Sequence, residues 1–177
     1  GRDVRDVVNL RAMYGDHRPA EGALDEPISV LSDLKRQGLI KNIGLSNVTA
    51  IQIEDCRALT EIACVQNQYN LVHRADDSLI DTLAAEQIPY VPFFPLGGFS
   101  PIQSSGLTAV AQRLGATAMQ VALSWLLRRS PNILLIPGTA SRLHLRESLA
   151  ATRIELPQEA LSELDALSVQ PASAVQS

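Results

Sequence analysis

The sequence predicts an α/β fold built around a parallel β-sheet. Short apolar runs rich in β-branched residues alternate with longer stretches of helical periodicity, which is the pattern of successive βα units. The runs are nearly continuous in apolar residues, as is typical of strands buried on both faces. The five predicted strands cover residues 4–10, 40–45, 62–65, 88–93 and 133–136.

Helix start and stop signals lie between these strands. The first helix is predicted to begin near Asp25 and Pro27 and to end at Gly38, since glycine is the usual residue after a helix C-terminus. Further helices are predicted over residues 79–83, 107–114, 119–127, 143–151 and 157–167. Two helix starts carry the capping-box pattern of a hydroxyl followed three residues later by an amide, at Thr49 with Gln52 and at Thr117 with Gln120.

Composition limits the classes of function. The 177 residues are 46% hydrophobic, which is enough for one domain with a packed core. The 15 basic and 19 acidic residues form no long run of one sign, so a nucleic acid partner is not expected. No stretch approaches the roughly 20 apolar residues that span a bilayer. We therefore expect neither a nucleic acid nor a membrane as partner.

The cysteines and histidines do not predict a metal site. Cys56 and Cys64 lie too far apart for a Cys-x-x-Cys pair, and His17, His73 and His144 have no partners at ligand spacing. A reducing cytoplasm is the expected compartment. The chain begins with Gly1 instead of a methionine, from which we expect it to be part of a longer polypeptide.

Polar side chains follow two of the predicted strands. Ser46 and Asn47 come after residues 40–45, and Gln66 comes after residues 62–65, with Tyr69 as a possible aromatic wall nearby. The carboxyl ends of parallel strands form the edge at which α/β proteins bind ligands, and hydroxyl and amide groups there can hold a planar carboxamide. The alternative is an ordinary polar loop before a helix.

Two glycine-containing turns follow the later strands. After Phe93 and Phe94 the chain turns at Gly97, so that a ring can stack on a planar heterocycle while backbone N–H groups approach a phosphate; core packing with a tight turn is the alternative. Residues 136–141 run through Gly138 into a helix, whose free N–H groups favour an anion; a plain helix cap by Ser141 is the alternative.

Five segments in this order resemble the C-terminal half of the aldo-keto reductases, which are NADPH-dependent oxidoreductases built on an eight-stranded TIM barrel. The segments are GLSN at 44–47, QxxYN at 66–70, FPLG at 94–97, QVALSWLL at 120–127 and IPGT at 136–139. The resemblance covers residues 4–167. It implies a partial TIM (β/α)8 barrel, strands four to eight with their helices, over residues 1–168, followed by a frayed tail at 169–177.

The resemblance also implies a set of cofactor-binding residues. Phe93 lies where the family commonly has a tyrosine stacked on the nicotinamide ring, while Leu96 and Gly97 lie near the pyrophosphate. The residues implied to hold the nicotinamide carboxamide are Ser46, Asn47 and Gln66. Those implied to bind adenine and the adenosine 2′-phosphate are Gly138, Thr139, Ser141, His144, Glu147 and Ser148.

Three of these positions depart from the family pattern. Gly138 stands where many members have lysine, His144 where arginine is common, and Ser148 where asparagine is common. Arg142 or Arg146 could compensate for the lost charge. The implied cofactor is NADPH, with NADH as a possibility.

The implied catalytic residues are largely outside the chain. The family takes an aspartate, a tyrosine and a lysine from its first barrel strands, and these would all precede Gly1; Arg11 occupies the position of the family's histidine. The intact protein is thus expected to reduce aldehydes or ketones, with the missing N-terminal half of the barrel as partner. The 177-residue chain is expected to be inactive alone.

Two alternatives stay open. The first is a naturally short, non-catalytic half-barrel that binds a nucleotide or assembles with a partner chain through its open sheet. The second is a different TIM-barrel enzyme with a phosphate ligand, which would explain the turn at Gly138 but not Ser46, Asn47 and Gln66.

Overall fold

A computed structural model describes residues 4–13, 19–97, 102 and 104–167 of the chain. It has an α/β fold that divides into a sheet unit, comprising Gly1–Gln68 and Asp76–Pro92, and a helical unit, comprising Tyr69–Ala75 and Phe93–Ser177. The tail predicted to fray at residues 169–177 lies outside the described residues, as does His17. No helix within the described ranges is long and apolar enough to cross a membrane.

Three parallel strands in the order β1-β2-β3 form the centre of the sheet unit. Each begins and ends within one residue of its predicted position. The elements of this unit are β1 (Arg5–Arg11), α1 (Asp25–Arg36), β2 (Ile40–Ser46), α2 (Ala50–Leu59), β3 (Ile62–Gln66) and α3 (Asp77–Ala85).

The core of the sheet unit is formed by apolar side chains of β2, β3, α1 and α2. Ile43 and Leu45 of β2 and Val65 of β3 are completely buried, and α1 packs against both β2 and α2. Ile28 of α1 and Ile53 of α2 are buried as well. Removal of these apolar side chains from water holds the strands in register, because a one-residue slip would move them to the other face.

The predicted strand at residues 88–93 is wrong as a strand. In this segment Tyr90 forms an isolated parallel bridge with Val65, in which Val65 N donates to Pro89 O at 3.0 Å and Val91 N donates to Val65 O at 2.8 Å. Pro89 has no N–H group to donate toward β3, so the hydrogen-bond ladder cannot extend from Tyr90 toward Ile88.

The predicted strand at residues 133–136 is also wrong. Ile133 is buried and its backbone N donates to Ser130 O at 3.3 Å, but Leu134 and Ile136 are exposed. A strand requires a neighbouring strand for its hydrogen bonds. Among the described residues this segment has no such neighbour in a regular ladder, and Pro137 follows immediately.

The helical unit is arranged around a buried central helix. Residues 121–126 of α5 are all buried, which confirms that this apolar segment packs on more than one side. It packs against α4, α6 and a 3-10 turn at Ala151–Arg153, while α4 also packs against α7. The helices of this unit are α4 (Ser105–Arg113), α5 (Ala118–Arg129), α6 (Arg142–Ala150) and α7 (Gln158–Ala166).

Both predicted capping boxes are confirmed. Thr49 Oγ1 accepts from Gln52 N at 3.2 Å, and Gln52 Oε1 accepts from Thr49 N at 2.9 Å. The same pair of bonds joins Thr117 and Gln120 at the start of α5, at 3.2 and 3.0 Å. Gln52 has a further role, because its Nε2 donates to Ala20 O and Gly22 O in the preceding loop.

The cap of α2 makes a measurable contribution to stability. Replacement Thr49→Ala removes the oxygen that accepts from Gln52 N, and we expect it to lower the free energy of unfolding by about 1 kcal/mol. Thr49→Ser keeps this oxygen and should retain most of the stability. Urea unfolding of the two variants and the unchanged chain makes the comparison; an equal loss in both variants would contradict a capping role.

Candidate functional site

The carboxyl ends of the three strands bring together three of the predicted site residues. Arg11 pairs in register with Ser46, and Ser46 pairs with Gln66. Residues paired in register point to the same face of a sheet, so the three side chains form one row. Arg11 Nη1 donates to the completely buried Ser46 Oγ at 3.2 Å. Arg11 therefore lies beside residues that are predicted to bind the carboxamide.

Two residues earlier, a second row crosses the same face. Asn9 pairs with Gly44, and Gly44 pairs with Cys64. A Cβ atom at Gly44 would lie 2.7 Å from Cys64 Sγ and closer still to Asn9 Oδ1, so only glycine leaves room for both side chains. Asn9 Nδ2 in turn approaches Gln66 Oε1 at 3.5 Å. Sequence reasoning did not identify Asn9, because only the strand register brings it to this row.

Asn47 lies at the turn that follows β2. Its φ of 60° is in the left-handed region, which asparagine tolerates better than most residues. Its backbone N donates to Gln66 O at 2.9 Å, and its side-chain Nδ2 donates to Ala12 O at 2.9 Å. The amide thus joins the carboxyl ends of β1 and β2, a structural role that the sequence did not predict.

A buried polar network holds the next residue, Val48. Asn67 Oδ1 accepts from Val48 N at 3.0 Å, and Asn67 Nδ2 donates to Val48 O at 2.8 Å and to Asp76 Oδ2 at 2.8 Å. The Tyr90 hydroxyl also donates to Asp76 Oδ2, at 2.9 Å. Burial raises the pKa of Asp76, the hydrogen bonds from Asn67 and Tyr90 oppose this rise, and the charge of Asp77 adds to it.

A cleft of about 690 Å³ lies in the helical unit, a size typical of small-molecule sites. Its walls bring together three predicted cofactor residues from two separate segments of the chain, Phe93 and Leu96 from one and Gly138 from the other. The remaining walls come mainly from apolar residues, including Leu107 of α4 and Met119 of α5. This lining favours flat or apolar groups of a ligand over charged ones.

The turn at residues 93–97 forms one wall of the cleft. The rings of Phe93 and Phe94 meet edge to face, with centroids 5.3 Å apart. Gly97 N donates to Phe94 O at 3.0 Å, and Ile102 N donates to Leu96 O at 3.1 Å. Gly97 has a φ of 96°, a conformation that favours glycine.

The first turn of α6 is capped by its own loop. Ser141 Oγ accepts from His144 N at 3.4 Å, and Thr139 Oγ1 accepts from Ser141 N at 3.0 Å. Ser141 therefore caps α6, which agrees with the alternative interpretation of this turn as a plain helix cap. Gly138 is exposed, and a Cβ atom there would meet nothing within 4 Å. His144 is exposed, while Glu147 and Ser148, one turn further along α6, are half-buried.

No metal centre is found in the described part of the chain. Within those ranges, no group of three or more His, Cys, Asp or Glu side chains could hold a metal ion. Both cysteines lack a disulfide partner, and burial raises the pKa of the Cys56 thiol to about 11.

The sequence profile of the Aldo/keto reductase family matches residues 2–101 and 103–169. The chain is 62% identical over 169 residues to pyridoxine 4-dehydrogenase of Escherichia coli, a match covering 95% of this chain and 59% of that protein. The chain thus spans about 59% of the length of this relative.

Solved structures give the same result for the fold. The thermostable aldo-keto reductase Tm1743, in complex with the inhibitor epalrestat, matches with a TM-score of 0.79 and 32% identity, over 93% of this chain and 60% of that one. An aldo-keto reductase from Klebsiella pneumoniae in complex with NADPH matches with a TM-score of 0.78 and 27% identity, over 96% and 61%.

The buried carboxyl group of Asp76 makes stability depend on pH. Because its pKa in the folded chain lies above the usual 3.8, its contribution is complete below that pH and is lost as the pH rises through the folded value. The Asp76→Asn variant keeps an oxygen that can accept from Asn67 and Tyr90, but its side-chain amide does not titrate. The free energy of unfolding of the unchanged chain should therefore fall relative to Asp76→Asn as the pH rises above about 4.

The matched variant is Tyr90→Phe, which removes one of the hydrogen bonds that oppose the rise in the pKa of Asp76. The pKa of Asp76 in the folded Tyr90→Phe variant should therefore be higher than in the unchanged chain. Its free energy of unfolding should continue to fall up to a higher pH. Urea unfolding at a series of pH values measures all three proteins. Parallel curves for the unchanged chain and Asp76→Asn would contradict the assignment.

Proposed function

The chain belongs to the aldo/keto reductase family, and we propose that residues 1–168 are the C-terminal portion of a (β/α)8 barrel and carry most of an NADPH site. The observation that carries this proposal is the cleft of about 690 Å³, because it brings Phe93 and Leu96 of the 93–97 turn together with Gly138, about 40 residues later in the sequence. All three are residues that the family resemblance assigns to the cofactor.

The helical unit fits the rings and phosphates of this cofactor. Phe93 offers a ring at the wall of an apolar cleft, which suits a planar heterocycle. The capped start of α6 contributes the positive end of a helix dipole beside the open position at Gly138. Arg142, exposed in the first turn of α6, supplies a cation for a phosphate. The arrangement is compatible with NADPH, although Gly138 contributes no charge itself.

The sheet unit fits a carboxamide. A nicotinamide carboxamide has one acceptor oxygen and a donor NH₂ group. Ser46 and Gln66, paired in register, present a hydroxyl and an amide on one face, and Asn47 follows directly. Arg11 donates to Ser46 Oγ, which leaves the Ser46 hydroxyl proton to be donated elsewhere. We assign Arg11 the role of orienting this hydroxyl.

In the proposed reaction NADPH supplies a hydride to the carbonyl carbon of an aldehyde or ketone. This chain binds and orients the cofactor, while the proton donor and its partners, an aspartate, a tyrosine and a lysine, belong to barrel strands that precede Gly1. Because the chain is similar to pyridoxine 4-dehydrogenase, we propose pyridoxine and its corresponding aldehyde as the first substrate pair to test. The test requires an intact protein with the length of that relative.

One observation favours assembly with a further polypeptide. Within the described residues β1 has β2 as its single neighbouring strand, and Val4 and Val7 of the β1 segment are exposed. A parallel strand with an open edge is a template for pairing. The proposed occupant is the N-terminal part of the barrel, and a partner chain that closes the sheet is the second candidate.

The cofactor proposal is tested by changing charge at Gly138. Because a Cβ atom at the exposed Gly138 would meet nothing within 4 Å, Gly138→Lys and Gly138→Asp should both leave the fold intact. Lysine should tighten NADPH binding by about fivefold and aspartate should weaken it by a similar factor, as expected for an exposed charge near a phosphate. Calorimetric titration of the 177-residue chain measures both Kd values.

Gly138→Asn is the neutral control and should bind like the unchanged chain. The differences should shrink at high salt, because exposed charges are screened. Equal effects of lysine and aspartate, or the absence of NADPH binding by the unchanged chain, would contradict the proposal.

The same proposal predicts that binding occurs without turnover. The purified 177-residue chain should bind NADPH but should not oxidise it when an aldehyde is added, because no proton donor is assigned within it. Absorbance of NADPH over time is the measurement. Steady oxidation that depends on both aldehyde and chain would show that the chain contains its own proton donor.

A further inference from the structure

Phe94 has a backbone conformation that residues with side chains rarely adopt. Its φ of 54° lies in the left-handed region, where Cβ comes too close to the following carbonyl oxygen. A bulky residue stays in this conformation only when its surroundings hold it there. Phe94 directly follows Phe93 and precedes Leu96, so any contact that holds it also sets the wall of the cleft.

Two hydrogen bonds from one short segment hold this turn. The Asn70 side chain is completely buried, and its Nδ2 donates to Phe94 O at 2.9 Å. The backbone N of Tyr69 approaches Phe93 O at 3.4 Å. The carbonyl groups of both phenylalanines are thus bonded to neighbouring residues of the 69–75 loop.

The acceptor side of the Asn70 amide is bonded within its own loop. Asn70 Oδ1 accepts from Val72 N at 3.0 Å and from His73 N at 3.1 Å. Asn70 N also donates to His73 O, and His73 N approaches Asn70 O, both at 3.1 Å. The side-chain orientation is therefore fixed by the loop, which leaves Nδ2 directed at Phe94 O.

The loop itself is anchored to helices of the same unit. The Arg74 guanidinium lies over the ring of Trp125 at 5.0 Å from its centroid, and it approaches Asp165 Oδ1 at 3.4 Å. Trp125 Nε1 donates to the same Asp165 oxygen at 2.9 Å, and the ring of Tyr69 stacks on Trp125 with centroids 6.1 Å apart. The loop that carries Asn70 is thus held against α5 and α7 by Tyr69 and Arg74.

We propose that Asn70 is a positioning residue that fixes Phe93 and the 94–97 turn against the nicotinamide ring and pyrophosphate of the cofactor. It acts through the Phe94 carbonyl and does not touch the cofactor. Only a side chain with both a donor and an acceptor at this reach makes all three bonds. The inference rests on the proposed function, since it concerns how the chain binds NADPH.

The test separates positioning from general stability by using two ligands. Asn70→Asp keeps an oxygen for Val72 N and His73 N but replaces the donor that faces Phe94 O with a second acceptor. NADPH should bind about tenfold more weakly to this variant, because Phe94 O loses one of its two hydrogen-bond donors and faces a carboxylate oxygen instead, so the turn shifts. Adenosine 2′-monophosphate, which has neither nicotinamide nor pyrophosphate, should bind within about twofold of its original Kd.

A second readout needs no ligand. Hydrogen exchange of the peptide covering residues 93–97 should become faster in Asn70→Asp, while exchange in α5 stays unchanged. Asn70→Ser also lacks Nδ2 and should give the same pattern, which keeps the test available if the carboxylate prevents folding. The control is Ser124→Ala, which removes another buried bond of the helical unit, from Ser124 Oγ to Ile154 O at 3.0 Å. It should leave both Kd values unchanged.

Each outcome has one interpretation. An equal loss of affinity for both ligands in Asn70→Asp would make Asn70 a merely structural residue and overturn the inference, as would unchanged binding of NADPH. If the unchanged chain binds NADPH and both Asn70 variants lose it selectively, the inference holds. If the unchanged chain binds neither ligand, the proposed function itself fails and this inference fails with it.

Discussion

Parallel hydrogen bonding on both sides of β2 is the constraint from which the geometry of the sheet unit follows. Because β2 pairs with β1 and β3, Ser46 lies in register between Arg11 and Gln66. The close approach depends on Gly44, whose missing Cβ leaves space for Asn9 and Cys64. Burial of Ile43 and Leu45 fixes the register, so the polar row on the opposite face is a consequence of core packing.

Side-chain amides stabilise the turns that carry the proposed ligand-binding residues. In the sheet unit, Asn67 bonds to both the N–H and the carbonyl of Val48. In the helical unit, Asn70 bonds to the carbonyl of Phe94. Both amides are almost fully buried, and both bond to backbone groups, with Asp76 as a further partner of Asn67. An asparagine suits this task because it both donates and accepts, as a backbone peptide group does.

Local signals predicted most of the secondary structure, whereas contacts between distant residues escaped prediction. The strands β1 to β3 and the caps at Thr49 and Thr117 depend on nearby residues, and the sequence predicted them. The segment 88–93 has strand-like side chains, but Pro89 cannot donate a backbone hydrogen bond, and the pairing of Tyr90 with Val65 is an isolated bridge. Asn70 and Phe94 lie 24 positions apart in the sequence, so no local sequence pattern predicts the hydrogen bond between them. Conversely, the family resemblance assigns Phe93 and Gly138 to the cofactor, but the sequence does not predict that they line the same cleft.

The central claim is that the cleft of the helical unit holds part of NADPH, and nuclear magnetic resonance tests it most directly. Isotope-labelled chain is titrated with NADPH, and the ring resonances of Phe93 and the backbone amides of Gly97 and Gly138 are followed. The account predicts that these three signals shift together and saturate at one NADPH concentration, while signals from Trp125 in the packed interior stay in place. Saturable shifts elsewhere in the helical unit with no change at Phe93, Gly97 and Gly138 would contradict it.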